Sequence, residues 1–234
     1  MPRRSRPVSA VRARPADGPV RARPVAARRG RRLDPGAFPQ ERARRTYEAL
    51  GSAASRQFGE RGYDGVGTPE IARAAKVSVG SFYRYFDDKK QIYLEVVRRL
   101  TERAFEETMA GLSAERFLGV ARHQTISMAI DVLFAHATRN TGLLRSFLEM
   151  SFRDPDVAEI QRQIERDTVR RLGLLLELVT TRDRVTDPAA TAHVVYAACH
   201  QCGLIAAGVV GDGAVDSGPL RAALVAFIER SLFP

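Results

Sequence analysis

The sequence lacks the features that mark several large classes of protein. No stretch approaches the about 18 apolar residues of a membrane-spanning helix, so no membrane partner is predicted. The N-terminal residues form no apolar stretch of the signal-peptide type, and a cytoplasmic protein is therefore expected. A Gly-rich phosphate loop, a nucleophile motif and an H-E-x-x-H pair are also missing. The sequence therefore predicts neither an enzyme nor a bound cofactor.

Cysteine is scarce as well. The 234 residues include two cysteines, Cys199 and Cys202, inside a helical apolar run. A zinc site would need a second ligand pair at matching spacing, and a redox motif would open a helix after a strand. Neither context is present. The two cysteines are therefore interpreted as small apolar residues of a buried helix, and no metal site is predicted.

Acidic residues are rare at the N-terminal end. Residues 1–45 contain 14 arginines and three acidic residues, whereas the rest of the chain has 23 basic and 24 acidic residues. Residues 1–37 mix Arg, Pro, Ala and Val without periodicity, which predicts a disordered arm. Basic arms bind polyanions, of which DNA is the commonest. A tail of biased composition without a partner is the alternative.

Helical patterns occupy the remainder of the chain. Ala43, Tyr47, Leu50, Ala54 and Phe58 recur at steps of three or four, on one face of a helix, and a glycine that can end this helix follows. Five further helices are predicted near 114–138, 141–152, 155–180, 188–210 and 218–232. Because no convincing strand pattern is present, the predicted fold class is all-α, with about nine helices.

The segment between the first helix and the five C-terminal helices contains three signals for the start of a helix. Thr68-Pro69-Glu70 has the form of a helix start, with Thr68 as the cap. Ser78 is expected to cap the next helix, and Asp87 or Asp88 to cap the fourth, which is predicted near 88–110.

The stretch from Thr68 to Lys89, TPEIARAAKVSVGSFYRYFDDK, predicts two short helices joined by a tight turn at Lys76-Val77. Small and apolar residues can form the core between these helices, as in a helix-turn-helix; they are Ile71, Ala72, Ala75, Val77 and Phe82. The second helix begins with small residues, which would let its backbone approach base edges in the major groove. Tyr83 and Tyr85 carry hydroxyls that can donate to phosphates.

This segment resembles the N-terminal domain of the TetR family of bacterial transcription regulators. The resemblance is carried by residues 68–72, 77–86 and Lys89, with residues 58–63 upstream, and covers about residues 40–97. It implies contacts with double-stranded operator DNA for Thr68, Ser78, Val79, Gly80, Ser81, Tyr83, Arg84, Tyr85 and Lys89. Lys76 departs from the family pattern, which usually has Gly in this turn. We expect Lys76 to adopt the left-handed conformation at a cost of roughly 1 kcal/mol.

The resemblance also implies three parts: the disordered Arg/Pro-rich arm over 1–37, a helix-turn-helix DNA-binding domain over 38–87, and a helical ligand-binding and dimerisation domain over 88–234. A homodimer is expected through the helices near 188–210 and 218–232, which have more apolar surface than one small bundle needs. Residues 194–210 are apolar on nearly every face, which predicts burial on all sides.

A ligand cavity is implied for the C-terminal helices. Polar and aromatic residues on otherwise apolar helices are the ligand-binding candidates: His123, Phe147, Glu149, Tyr196 and His200. Each is also explained as an ordinary residue of the helical core. If they line a cavity, its unknown small-molecule ligand is mainly apolar, with one or two polar groups.

The sequence therefore predicts a sequence-specific, ligand-responsive regulator of transcription, in the form of a repressor released from its operator. The alternative is a DNA-architectural protein that binds through the Arg-rich arm without sequence choice. Binding measurements with competitor DNA separate the two hypotheses, because an architectural protein binds operator and competitor DNA with the same affinity.

Overall fold

The computed structural model describes residues 41–117, 122–211 and 215–233, and every regular element in these ranges is a helix. The ten helices are α1 (Glu41–Arg61), α2 (Thr68–Ala74), α3 (Val79–Tyr85), α4 (Lys89–Ala110), α5 (Ala114–Phe117), α6 (Arg122–Arg139), α7 (Thr141–Ser151), α8 (Pro155–Val179), α9 (Pro188–Ala206) and α10 (Ser217–Leu232). None of them has both the length and the hydropathy that crossing a membrane requires.

The all-α prediction is confirmed, with ten described helices in place of about nine. The difference lies near 114–138, where α5 and α6 take the place of one predicted helix. Residues 118–121 between them lie outside the described residues, as does the arm predicted over 1–37.

Side-chain caps explain where several helices begin. Ser78 Oγ accepts a hydrogen bond from the Ser81 N–H at 3.1 Å, and Asp88 Oδ1 accepts one from the Gln91 N–H at 2.7 Å. The predicted cap of α3 is therefore confirmed, and Asp88 rather than Asp87 caps α4. Aspartates also cap α8, α9 and α10. Each cap satisfies an N–H group that has no partner within its helix.

The prediction that Thr68 caps α2 is wrong. Gly67 is the N-cap, in an extended conformation, and Thr68 is the first helical residue. The Glu70 carboxylate folds back and accepts a hydrogen bond from the Gly67 N–H at 2.6 Å. A Cβ at Gly67 would lie 2.5 Å from this carboxylate, so the missing side chain makes room for the contact.

The turn after α2 depends on one residue with positive φ. Lys76 has φ 58°, the only positive φ among the described non-Gly residues, which confirms the left-handed conformation expected there. The N–H groups of Val77 and Lys76 donate to the carbonyls of Ala72 and Arg73, both at 3.0 Å. This Schellman pattern satisfies two free carbonyls and turns the chain sharply into α3.

Helix α9 ends in the same way, four residues earlier than the sequence predicts. Gly208 has φ 64°, and the Val209 N–H donates to the Leu204 carbonyl at 2.9 Å. Glycine adopts this conformation without the steric cost of a Cβ. The chain therefore leaves the helix after Ala206, although the apolar sequence continues.

The first of two cores joins the helix-turn-helix to α4 and α7. It contains the predicted Ile71, Ala72 and Phe82, all fully buried, with Ala75 and Val77 packed against them. Its larger members are Tyr47, Leu50, Phe58, Phe86, Ile92, Tyr93, Val97, Leu143, Phe147 and Met150. Since this core continues across residue 87, the domain boundary drawn there stays a prediction.

Helix α7 lies directly on α1 through two glycines. A Cβ on Gly142 would lie 2.0 Å from the Gly59 carbonyl oxygen, a distance that no real contact permits. Beside this crossing, the buried hydroxyls of Tyr93 and Ser146 are hydrogen-bonded at 3.1 Å. The backbones of α1 and α7 are therefore in contact, with no room for a side chain.

Ion pairs fasten the start of α8 to the same region. Lys90 Nζ lies 2.7 Å from carboxylate oxygens of both Asp154 and Asp156. Arg153 donates to Asp64 at 2.7 Å on the surface. The Lys90–Asp154 pair is partly buried, whereas Asp156 is exposed, and the exposed Arg153–Asp64 pair contributes little to stability.

The second core is formed by α6, α8, α9 and α10, with Phe117 from α5. Two polar bridges tie α10 to α6. Arg221 donates to both carboxylate oxygens of Asp131, one of them at 2.6 Å, and Glu229 pairs with His123 at 2.8 Å. Both bridges lie near the surface and fix how α10 sits on α6.

The prediction that residues 194–210 are buried on all sides is wrong for the single chain. Helix α9 packs on α6, α8 and α10 and leaves a further face open. Val194 on this face is 57% exposed. The exposed positions follow helical spacing, at Ala190, His193, Val194, Ala197 and Gln201. Within the described residues, this largely apolar face is thus left without a packing partner.

The α1–α7 crossing gives a test of the packing. Gly142→Ala should lower the free energy of unfolding by about 1–3 kcal/mol, because the new methyl group overlaps the Gly59 carbonyl. Gly111→Ala is the control, since its Cβ would meet one atom at 3.7 Å. Urea unfolding should show a loss for the first variant and no loss for the second. Equal stabilities for the two variants would contradict the close crossing.

Candidate functional site

One face of α3 is open to solvent. Val79 is 40% and Tyr83 53% exposed, and Gly80 and Arg84 on the same side are exposed too. The opposite side of the helix is anchored by the fully buried Phe82. Helix α3 therefore presents a fixed row that combines small side chains with one hydroxyl and one guanidinium.

Hydroxyl pairs hold both ends of this face. Thr68 Oγ1 and Tyr83 Oη are hydrogen-bonded at 3.0 Å, which joins the start of α2 to the last turn of α3. At the other end, Ser78 Oγ lies 2.9 Å from Ser81 Oγ. The half-buried Tyr85 ring lies 6.3 Å from the Tyr47 ring. The polar groups of the face are therefore oriented by contacts within the protein.

Lys89 is held at the start of α4. Its Nζ donates to the Tyr63 carbonyl at 3.0 Å and lies 4.2 Å from the centre of the Tyr63 ring. Lys76 in the preceding turn is exposed. All nine predicted DNA-contacting residues occupy exposed or half-buried positions of α2, α3, their flanking turns and the first residue of α4. The structure therefore brings these nine residues to one region.

A cavity of about 240 Å³ lies among α4 to α10. Leu, Ile, Val, Phe, Met and Ala side chains form most of its wall, and helices α4 and α7 connect that wall to the helix-turn-helix core. No Asp, Glu, Lys or Arg of the described ranges lines it. The cavity is therefore an uncharged and largely apolar space.

The five predicted ligand-binding residues separate into two groups. Phe147, Tyr196 and His200 line the cavity. His123 and Glu149 do not line it. The His123 side chain is 68% exposed and pairs with Glu229 of α10, and Glu149 lies on the exposed side of α7. The structure therefore places three of the five candidates together.

The family comparison agrees with the geometry of the α3 face. A family of bacterial regulatory proteins, the tetR family, matches residues 50–96, which include all of α2 and α3. This match assigns the helix-turn-helix segment to the TetR family. The resemblance to the TetR family that residues 68–89 carry is therefore confirmed.

Curated relatives match parts of the chain. An uncharacterized HTH-type transcriptional regulator of Haemophilus influenzae is 30% identical over 122 residues, which are 49% of this chain and 53% of that protein. Transcriptional regulator AcuR of Cereibacter sphaeroides is 34% identical over 91 residues, 33% of this chain and 42% of that protein. The chain thus spans about half the length of the curated relatives that it matches.

The fold extends beyond the matched segment. A solved structure from Mesorhizobium loti, of a protein assigned to the TetR family of transcriptional regulators, superposes with a TM-score of 0.65. Its sequence is 20% identical, and the match covers 82% of this chain and 97% of that one. At this identity the likeness shows the fold alone.

Sequence reasoning missed several polar residues of the cavity wall. Thr108, His136 and Gln161 line it, and the Thr108 Oγ1 and His136 Nε2 atoms are buried with no hydrogen-bond partner in the described chain. The signal for His136 is its position in the apolar stripe of α6, three residues after Leu133 and seven after Ala129. His123 fits the same spacing, so the pattern alone does not separate the two histidines.

The titratable groups of the cavity wall are neutral at pH 7. Burial lowers the pKa of His136, against the opposing effect of Glu107, whose carboxylate lies 4.0 Å from Nδ1. Burial also lowers the pKa of His200. It raises the pKa of Tyr196 and of the Cys199 thiol to about 12 in each case. The wall thus supplies hydrogen-bonding groups without charge.

The lowered histidine pKa values predict a loss of stability in acid. The unfolded chain takes up these two protons below the ordinary pKa of 6.5, whereas the folded chain takes them up only at lower pH. The free energy of unfolding should therefore fall as pH drops from 6.5 toward the folded-state pKa values, by at most about 1.4 kcal/mol per pH unit for each histidine. Urea unfolding between pH 5 and 8 should give His136→Leu a smaller slope than the unmodified chain. Equal slopes would contradict this cause.

Proposed function

We propose that this chain is a dimeric transcriptional repressor, released from operator DNA by a small, largely apolar ligand. The observation that carries the proposal is the open face of α3, which stands on a core shared with α7, a helix of the cavity wall. We assign residues 38–87 to DNA binding and residues 88–234 to ligand binding and dimerisation.

Base edges would be reached by the start of α3. Ser78, Val79, Gly80 and Ser81 have small side chains, which allow the helix to approach the floor of the major groove. Arg84 on the same exposed face can reach a base or a phosphate. Specificity is assigned to this end of the helix.

Phosphate contacts would fix the register on DNA. The hydrogen-bonded hydroxyls of Thr68 and Tyr83 leave lone pairs and one proton for an external partner. Tyr85 and Lys89 flank them, and the Lys89 ammonium keeps further N–H groups beside its bond to Tyr63. Such contacts position the protein without reading sequence.

A dimer would cover the open face of α9. This face combines Val194 with small alanines, and Phe227 on α10 is 48% exposed. An isologous interface between the α9 and α10 helices of two chains would bury these residues twice over. It would also set two α3 helices at a fixed spacing of about 34–36 Å, one turn of DNA, or a multiple of it.

Ligand and DNA would be coupled through α4 and α7. The first turns of α4 follow α3, and residues from Leu100 to Met109 of the same helix line the cavity. A ligand that prefers a tilted α4 would change the spacing of the α3 helices. It must bind the DNA-incompetent arrangement more tightly, because otherwise it shifts nothing.

The DNA interface is tested by Tyr83→Phe. Loss of the hydroxyl should weaken binding about ten-fold on all DNA sequences alike, because a bond to a charged phosphate is lost. Gel-shift titrations would measure this, with Thr138→Val, which removes an exposed hydroxyl of α6, as the control. Unchanged affinity would show that Tyr83 serves packing only. Equal binding to operator and competitor DNA would favour the architectural alternative.

The dimer is tested on α9. Val194→Glu places a charge in the proposed interface and should shift the light-scattering mass toward the 25.8 kDa of one chain. Met128→Glu is the matched control, because Met128 is 45% exposed on α6 outside the interface. A monomeric unmodified chain at micromolar concentration would contradict the proposal.

Release from DNA is tested by linkage. A coupling of about 1–3 kcal/mol weakens operator binding by roughly 5–150-fold, and operator must weaken ligand binding by the same factor. Calorimetry of a ligand with and without saturating operator compares the two affinities. Identical affinities would mean that the ligand does not release the protein from DNA.

A further inference from the structure

Three polar side chains stand where the cavity meets the protein surface. Gln161 of α8 and Tyr196 and His200 of α9 line both the cavity and a groove that opens between these helices. The Tyr196 and His200 rings are stacked, with centres 5.6 Å apart and planes 19° from parallel. None of the three side chains makes a hydrogen bond within residues 41–117, 122–211 and 215–233. They form a mouth with unused donors and acceptors.

Charge at this mouth disfavours an anion. The groove contains the carboxylate of Glu165, with His193 Nδ1 3.8 Å from it, and its described lining has no Lys or Arg. The cavity wall carries no counterion of either sign. An anionic group that entered would lose its hydration without a partner of opposite charge, and this loss is costly. A cationic group at the mouth would have the Glu165 carboxylate as a partner.

The volume limits the size of an occupant. A cavity of about 240 Å³ is small for a ligand site, so the atoms of an occupant lie close to the wall. Most of these atoms would touch aliphatic and aromatic side chains. The space is smaller than the about 300–1,000 Å³ typical of sites for drug-sized ligands.

We infer that the effector is a small molecule without a negative charge, with an apolar body in the cavity and one hydroxyl or carbonyl group held by Gln161, Tyr196 and His200 at the α8–α9 mouth. The inference rests on the proposed function, which makes this cavity the effector site. It adds the charge, the size and the orientation of the ligand.

The protonation states of the mouth suit such a group. Burial keeps the Tyr196 phenol protonated and lowers the pKa of His200, so the neutral imidazole has one donor and one acceptor nitrogen. The Gln161 amide likewise offers both. A hydroxyl group, which donates and accepts, can use all three partners.

The other polar atoms of the cavity wall are less suited to hold the polar group of the ligand. The free atoms there, Thr108 Oγ1 and His136 Nε2, are enclosed by protein atoms. A ligand would reach them only after the side chains rotate. Gln161, Tyr196 and His200 border open space already, so they are assigned the polar group.

The experiment compares three probes with the same apolar body: octan-1-ol, octanoate and octylammonium. Calorimetry on the full chain should give octan-1-ol an affinity at least about ten-fold above that of octanoate, because only the anion loses its hydration without a partner of opposite charge. Octylammonium should also bind more tightly than octanoate, because Glu165 can pair with it at the mouth. From hexan-1-ol to octan-1-ol the affinity should rise about four-fold per added CH₂ and then stop rising when the cavity is full. Binding of octanoate that equals or exceeds that of octan-1-ol, or no binding by any of the alcohols, would overturn the inference.

Variants test the orientation. Gln161→Leu, Tyr196→Phe and His200→Leu should each weaken octan-1-ol binding about three- to ten-fold, through loss of one hydrogen bond. Gln124→Leu is the control, because Gln124 is exposed on α6 and lines neither space. Unchanged affinity in all three mouth variants, or a loss confined to His136→Leu, would place the polar group elsewhere and overturn the assignment.

Failure of this inference differs from failure of the proposed function. Operator binding is measured in parallel on the same samples, by gel shift without any alcohol. If operator binds normally but octanoate binds better than octan-1-ol, only the ligand class is wrong. If octan-1-ol binds as expected but operator is bound no better than competitor DNA, the repressor function is wrong and the ligand class stands. Light scattering on these samples monitors assembly, because half of the groove lining also belongs to the α9 face proposed for the dimer: His193, Val194, Ala197 and Gln201.

Discussion

The contact between Gly59 and Gly142 is the constraint on which the rest of the architecture depends. It lets α7 lie against the backbone of α1, so that Leu143 and Met150 complete the core of the helix-turn-helix. Phe147 belongs to that core and also lines the cavity. Packed interiors transmit displacement because they compress little. An occupant of the cavity therefore touches a side chain that also supports the α3 face.

Polar groups divide the molecule into a surface that interacts through charge and a cavity that does not. The α3 face and its turns carry exposed Arg84 and Lys76, whereas the cavity wall holds imidazole, phenol and thiol groups that burial keeps neutral. This division suits a protein that would meet a polyanion at one end and a small molecule without a negative charge at the other. A single set of helices, α4 and α7, reaches both.

Local signals in the sequence were sufficient for the helix-turn-helix. Ser78 caps α3, and Lys76 takes the left-handed turn, because each depends on neighbours within a few residues. Thr68 was misassigned because a reciprocal bond between Gly67 and Glu70 satisfies the same helix start. The residues that line the cavity could not be predicted from local sequence patterns, because the lining depends on how distant helices pack. Both His123 and His136 fit the stripe of α6, and only the packing of α10, which brings Glu229 to His123, separates the surface histidine from the buried one.

The left-handed Lys76 has a consequence for how this protein can change. Glycine would occupy φ 58° without strain, so a Lys76→Gly exchange relaxes the backbone by roughly the 1 kcal/mol that a side chain costs there. The same exchange removes an exposed cation from the turn that leads into α3. Thermal stability and attraction for a polyanion therefore move in opposite directions at this one position. Screens that select for a more robust fold would favour the glycine, and screens that select for tight DNA binding would keep the lysine.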